Sequence, residues 1–178
     1  MRFSKALPLL FKELQGDHID FALVGGLAMY TLGFSRTTFD ADFMILLAQA
    51  DAVEQIMNRL GYQSHHKTQD VANYSSQDSD MGQVDFLFAH RRYAVAMLQR
   101  AGNATLLGYP VKVIRPEDLI GLKVQSSSND LERTQKDRAD IEEILRNHGK
   151  TMDWSLVEEY FRVFDRETEY KDLRKRFG

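Results

Sequence analysis

The stretch Leu23–Ile45, LVGGLAMYTLGFSRTTFDADFMI, decides the fold. Ile19 to Val24 is a short apolar run of the size expected for a buried strand. Gly25-Gly26 breaks it, Leu27 to Leu32 is expected as a short helix, and Gly33 ends that segment. An Arg-Thr-Thr loop then leads to a second buried strand, Ala41 to Leu47, entered through Asp40 and Asp42. Side chains alternate across a strand, so both carboxylates point to one face. Like charges on one face repel, and an apolar strand is a costly place to desolvate them. A divalent cation resolves that cost. Mg²⁺ takes oxygen ligands, using one or two carboxylates together with phosphate oxygens, and Mn²⁺ is the natural substitute.

A second apolar strand, Gln83 to Phe88, carries Asp85 between Val84 and Phe86. A charge flanked by hydrophobes in a strand is unexpected unless it is paired or functional. If the two strands are neighbours, Asp40, Asp42 and Asp85 converge in the manner of a two-metal phosphoryl-transfer site. The plainer alternatives are turn chemistry for the Asp-x-Asp and an arginine partner for Asp85. The Gly-Gly turn lets backbone N–H groups approach a phosphate, although an ordinary tight turn explains it equally well. It is neither a Gly-x-Gly-x-x-Gly fingerprint nor a P-loop.

Around this stretch, Phe3 to Leu14 has helical apolar spacing, with Gly16 as the stop and Pro8 acceptable only in the first turn. Asp51 to Leu60 is amphipathic and ends before Gly61. Tyr62 to Lys67 is a candidate strand, and the polar segment Thr68 to Gly82 is expected as a loop with a short strand at Val71 to Tyr74. Arg91 to Ala101 is helical, a hairpin turns at Gly108-Tyr109-Pro110, and Pro116-Glu117-Asp118 starts a helix running to about Val124. Ser126 to Asp130 is expected as a flexible hinge. Helices follow at about Thr134 to Asn147 and Asp153 to Phe164, then a charged tail to Gly178. This order gives an α/β or α+β sheet domain with a helical C-terminal part.

The bulk numbers fit that picture. The 178 residues, 43% hydrophobic, suit one domain or one domain with a helical appendage. A net charge of -3 disfavours nucleic acid as a bulk electrostatic partner. Without cysteine there are no disulfides and no cysteine-ligated zinc. No apolar run approaches the ~20 residues of a membrane span, and the Ala6 to Phe11 run is too short for a signal peptide core. A cytoplasmic protein with no membrane partner is expected.

Gly25-Gly26, thirteen intervening residues, Asp40-Ala41-Asp42 between hydrophobic neighbours, and Val84-Asp85-Phe86 together resemble the signature of the DNA polymerase beta-like nucleotidyltransferase superfamily. The Ser35-Arg36-Thr37-Thr38 approach resembles the minimal bacterial nucleotidyltransferases, including those of abortive-infection and toxin–antitoxin systems. The match spans roughly residues 19 to 90 by motif. The resemblance implies an α+β fold: a mixed sheet packed with helices over residues 1–125, and a small helical extension over 126–178. It implies that Gly25 and Gly26 contact the nucleotide triphosphate, that Asp40 and Asp42 bind metal, and that Asp85 completes the catalytic metal site and helps activate the acceptor. Many members carry Ser where this chain has Gly26, so a hydroxyl contact to phosphate is lost.

Arg36 is a candidate phosphate clamp, against an ion pair with one of the aspartates. Lys123 and Lys136 are candidates for neutralising phosphate charge. Lys136, Asp137 and Asp140 belong to a segment resembling one that faces the cleft in related proteins, against the plainer reading of a solvated charged face. Thr37 and Thr38 are expected only to help form the turn. His65-His66 is set aside as a metal site because adjacent strand residues point apart. The Trp154, Val157, Phe161, Phe164 stripe is core or a partner interface.

The expected activity is Mg²⁺-dependent transfer of a nucleoside monophosphate from an NTP, ATP first, to a hydroxyl of a protein, a tRNA or a small molecule. The alternative is a binding module of the same fold, acting as an antitoxin or scaffold for a cognate partner. A structural protein using the Trp154 stripe is a third class.

Overall fold

The computed structural model describes residues 1–34 and 38–178. The chain forms two compact units, Met1–Ile114 and Arg115–Gly178. The expected boundary at residue 125 falls inside a helix, Pro116–Asn129.

The first unit carries a seven-stranded mixed sheet among the described residues: β1 (Phe21–Leu23), β2 (Asp40–Leu46), β3 (Tyr62–Lys67), β4 (Val71–Ser76), β5 (Gln83–Ala89), β6 (Gly102–Leu106) and β7 (Tyr109–Val113). The spatial order is β3-β4-β5-β2-β1-β7-β6. Among the described residues its α-helices are α1 (Phe3–Gly16), α2 (Gly25–Thr31), α3 (Ala50–Arg59) and α4 (Arg92–Gln99). The α+β mixed sheet packed with helices is thus the architecture observed.

The central pairing is β2 with β5, parallel and in continuous register from Asp40↔Gln83 to Leu46↔Ala89. β1 runs antiparallel to β2, with Leu23 opposite Phe43. Strand alternation therefore puts Phe21, Phe43 and Phe86 on one face and Asp40, Asp42 and Asp85 on the other. The aromatic face is continuous. Phe21 meets Phe43 edge-on at 5.7 Å, Phe43 stacks on Phe86 at 5.4 Å, and Phe86 meets Tyr74 at 5.9 Å. Phe11 of α1 covers it, 5.9 Å from Phe21. Phe43, Phe86 and Phe11 are fully buried, so this column fixes how β1, β2 and β5 sit against one another.

Several local expectations change. Pro8 lies in the interior of α1, beyond the first turn. The ring removes one helical hydrogen bond, a cost of about 3 kcal/mol. Burial of Leu7, Leu10, Phe11 and Leu14 offsets it at roughly 1.5–3 kcal/mol each. The helix after β1 starts at Gly25 itself, not at Leu27. The polar segment after Thr68 contains a full strand, β4, paired on both sides between β3 and β5.

The second unit is helical: α5 (Pro116–Asn129), α6 (Thr134–His148), α7 (Trp154–Val163) and α8 (Glu167–Phe177). The expected hinge at Ser126–Asp130 is mostly helix. Ser127 donates to the Lys123 carbonyl at 2.9 Å and Ser128 to the Val124 carbonyl at 2.7 Å. Hydroxyls that back-bond in this way let serine continue a helix. Arg166 adds hydrogen bonds to Ser127 and to the Val124 carbonyl. The charged tail is also a helix, α8, anchored by buried Tyr170 and Leu173. Trp154, Val157 and Phe161 are core of this unit, as the stripe suggested. Among the described residues no helix is long and apolar enough to cross a membrane.

Candidate active site

The site is built on the face of β2 and β5 opposite the aromatic column. Asp42 and Asp85 are direct partners in the parallel ladder, and Asp40 lies two residues earlier on β2. One ligand oxygen from each of Asp40, Asp42 and Asp85 lies within 4.8 Å of the other two, and all three residues are half-buried. Three carboxylates at that spacing form an all-oxygen donor set, which fits a hard divalent cation such as Mg²⁺ or Mn²⁺.

Asp40 and Asp85 are each held by the residue two positions earlier in the chain. The Thr38 hydroxyl donates to Asp40 Oδ1 at 2.8 Å. The Gln83 amide donates to both oxygens of Asp85, at 3.1 and 3.2 Å. Neither was singled out as a site residue from sequence. For Gln83 the available signal is periodicity: it precedes Asp85 by two positions on β5, the same-face spacing of a strand, whereas Thr38 lies before β2 begins.

Gly25 and Gly26 open α2 against this carboxylate row. Gly25 has φ +56°, in the region that favours glycine. A Cβ there would lie 2.0 Å from Asp42 Oδ2, so the carboxylate of Asp42 rests on the bare Gly25 backbone. Gly26 is also packed, with Thr38 occupying the space a side chain would need. Val24, the residue before α2, makes no side-chain capping hydrogen bond.

The remaining candidates divide. Arg36 and Thr37 lie outside the described residues. Lys123 and Lys136 belong to the second unit. Lys123 is buried there, 3.0 Å from Asp137 Oδ1 and 2.5 Å from Asp140 Oδ2. Asp137 and Asp140 are themselves buried, so this group is an internal ion cluster and not the solvated charged face that was the alternative. Lys136 is exposed on α6. His65 and His66 are exposed on β3, where the ladder shifts register between Ser64 and His66.

A mixed sheet with an Asp-x-Asp strand, a third carboxylate on the neighbouring parallel strand and a Gly-Gly turn beneath them defines a nucleotidyltransferase fold. The chain belongs to the family described as nucleotidyl transferase of unknown function (DUF2204), whose model matches residues 3–177. Solved structures agree on the fold. The antibiotic-resistance factor ANT(2'')-Ia is similar with a TM-score of 0.70 at 14% identity, covering 99% of this chain and 98% of that one. The lincosamide antibiotic adenylyltransferase LnuA, solved with lincomycin bound, gives 0.58 at 17% identity, covering 79% and 94%. An antigenic nucleotidyltransferase-like protein from Paracoccidioides brasiliensis gives 0.58 at 16% identity, covering 98% and 92%. No curated protein matches the sequence.

Proposed function

We propose that this nucleotidyltransferase moves a nucleoside monophosphate from ATP to a hydroxyl of a small molecule in a divalent-metal-dependent reaction. The observation that carries the reading is the convergence of the Asp40, Asp42 and Asp85 oxygens within 4.8 Å. Asp40, Asp42 and Asp85 would together hold the cation. When bound, the cation offsets charge developing on the phosphates and lowers the pKa of an attacking hydroxyl. Asp85 accepts the acceptor's hydroxyl proton. The acceptor oxygen bonds to the α-phosphorus as the bond to the bridging oxygen breaks, and pyrophosphate leaves.

Gly25 and Gly26 let the phosphates approach the backbone, where the first-turn N–H groups of α2 donate to them. Arg36 is assigned to the phosphate charge. Mg²⁺ is the expected ion, with Mn²⁺ as a substitute, and the cytoplasm is the expected location. A small-molecule acceptor is preferred because two structures of this fold are named for antibiotics.

The test is incubation with α-labelled NTPs, Mg²⁺ and either a panel of hydroxylated antibiotics or a cell lysate. A labelled small product that disappears in Asp42→Asn supports the reading. Label on tRNA or protein replaces the acceptor class. Label unchanged in Asp42→Asn refutes the site. Absence of both product and nucleotide binding at millimolar ATP favours the binding module, an antitoxin or scaffold with a cognate partner.

A further inference from the structure

Thr38 does more than complete a turn. Its Oγ1 and Cβ lie 2.4 and 2.5 Å from the point where a Cβ on residue 26 would stand, well inside the 3.0 Å limit of real Cβ contacts. Thr38 therefore occupies the notch that Gly26 leaves at the start of α2. From that notch its hydroxyl reaches Asp40 twice, at 2.8 Å to Oδ1 and 3.3 Å to the main-chain oxygen. Both branches of Thr38, Oγ1 and Cγ2, face the notch as well as Cβ, so packing against Gly26 restricts χ1 and with it the direction of the hydroxyl. A carboxylate offers about four lone-pair positions. The hydroxyl uses one on Oδ1 and leaves the others free for a cation.

We infer that Thr38 is a positioning residue for the metal site: seated against Gly26, it fixes the Asp40 carboxylate in the orientation that converges with Asp42 and Asp85. The inference rests on the proposed role of Asp40 as a metal ligand. It makes Gly26 and Thr38 a matched pair. Any side chain at 26 must expel Thr38 and so release Asp40. The close contacts include the Cβ of Thr38, so trimming Thr38 to alanine does not clear the space and only glycine does.

The test measures Mn²⁺ binding to the full chain by calorimetry, with thermal unfolding as a control. Thr38→Val keeps the shape and loses the hydroxyl. It is expected to bind Mn²⁺ about 10-fold more weakly, the lower end for removing a partner of a metal ligand, with Thr38→Ser restoring most of the affinity. Gly26→Ala is expected to lower the melting temperature and Mn²⁺ affinity together. Adding Thr38→Gly to it should recover the melting temperature and not the affinity.

If Asp40→Asn abolishes binding while Thr38→Val binds as wild type, the inference is overturned and the role of Asp40 stands. If Asp40→Asn binds as wild type, the role of Asp40 and the inference fall together. If Thr38→Ser is as weak as Thr38→Val, the hydroxyl is not the operative group and the inference is likewise overturned.

Discussion

Replacement of Gly25 by alanine separates strain in the backbone from damage to the site. Residue 25 sits at φ +56°, which costs an L-residue with a side chain roughly 1–2 kcal/mol. The new methyl also lands 2.0 Å from Asp42 Oδ2, 2.6 Å from its Cγ and 3.0 Å from its Cβ. All three close atoms belong to one side chain, so the cheapest relief is rotation of the Asp42 carboxylate. The backbone penalty alone should lower the melting temperature by about 2–8 °C, taking about 2–4 °C per kcal/mol at this chain length. The displaced carboxylate should weaken Mn²⁺ binding as severely as Asp42→Asn does. Calorimetry with Mn²⁺ and a thermal melt on the same preparation read the two effects separately. A Gly25→Ala protein that melts a few degrees early but binds Mn²⁺ like wild type would refute the claim that Asp42 is seated by the bare backbone of Gly25.

Three further outcomes are expected. Lys123→Met removes the buried ammonium paired with Asp137 and Asp140 and should cost about 3–5 kcal/mol in chemical denaturation. A variant of wild-type stability with weakened ATP binding would instead make Lys123 a nucleotide ligand. Tyr160→Phe removes a buried hydroxyl that donates to Asp118 Oδ1 at 2.5 Å, with an expected loss of about 1–3 kcal/mol by the same measurement. The Arg176 guanidinium, hydrogen-bonded to Glu142, holds that carboxyl below its ordinary value. A lowered folded pKa stabilises above the unfolded value and is lost as pH falls through the folded one. Arg176→Ala should therefore destabilise the protein slightly at neutral pH, with the difference from wild type vanishing in acid melts once Glu142 is protonated.

The strands were legible wherever their residues carry a period or an apolar run. β2 and β5 stood out because aspartates interrupt otherwise hydrophobic stretches, and alternation alone put Asp40 and Asp42 on one face. What alternation does not encode is which strands lie side by side. Asp42 opposite Asp85 is a non-local pairing, set in the folded chain by the Phe43–Phe86 contact on the reverse face. β4 was only partly visible because Asn73, Ser75 and Ser76 are polar, and its place is secured by ladders on both sides. The serines at 126–128 suggest a hinge by composition, whereas in the fold the hydroxyls of Ser127 and Ser128 bond to carbonyls one turn back and the segment stays in α5. Thr38 was read as turn chemistry because its significance lies in a missing atom on Gly26, which no single-residue preference records.

The parallel register of β2 and β5 has a consequence for how the chain acquires chemistry. Its two acidic strands are joined only after the intervening α3, β3 and β4 have been laid out, so closure of that long segment precedes any reward from the pairing. A fragment ending before Gln83 retains the glycine turn and the first two aspartates and has no third carboxylate. A one-residue slip between the strands turns Asp85 toward the aromatic column and Phe86 toward Asp42. Convergence of the three carboxylates thus depends on one register, that of β5 against β2.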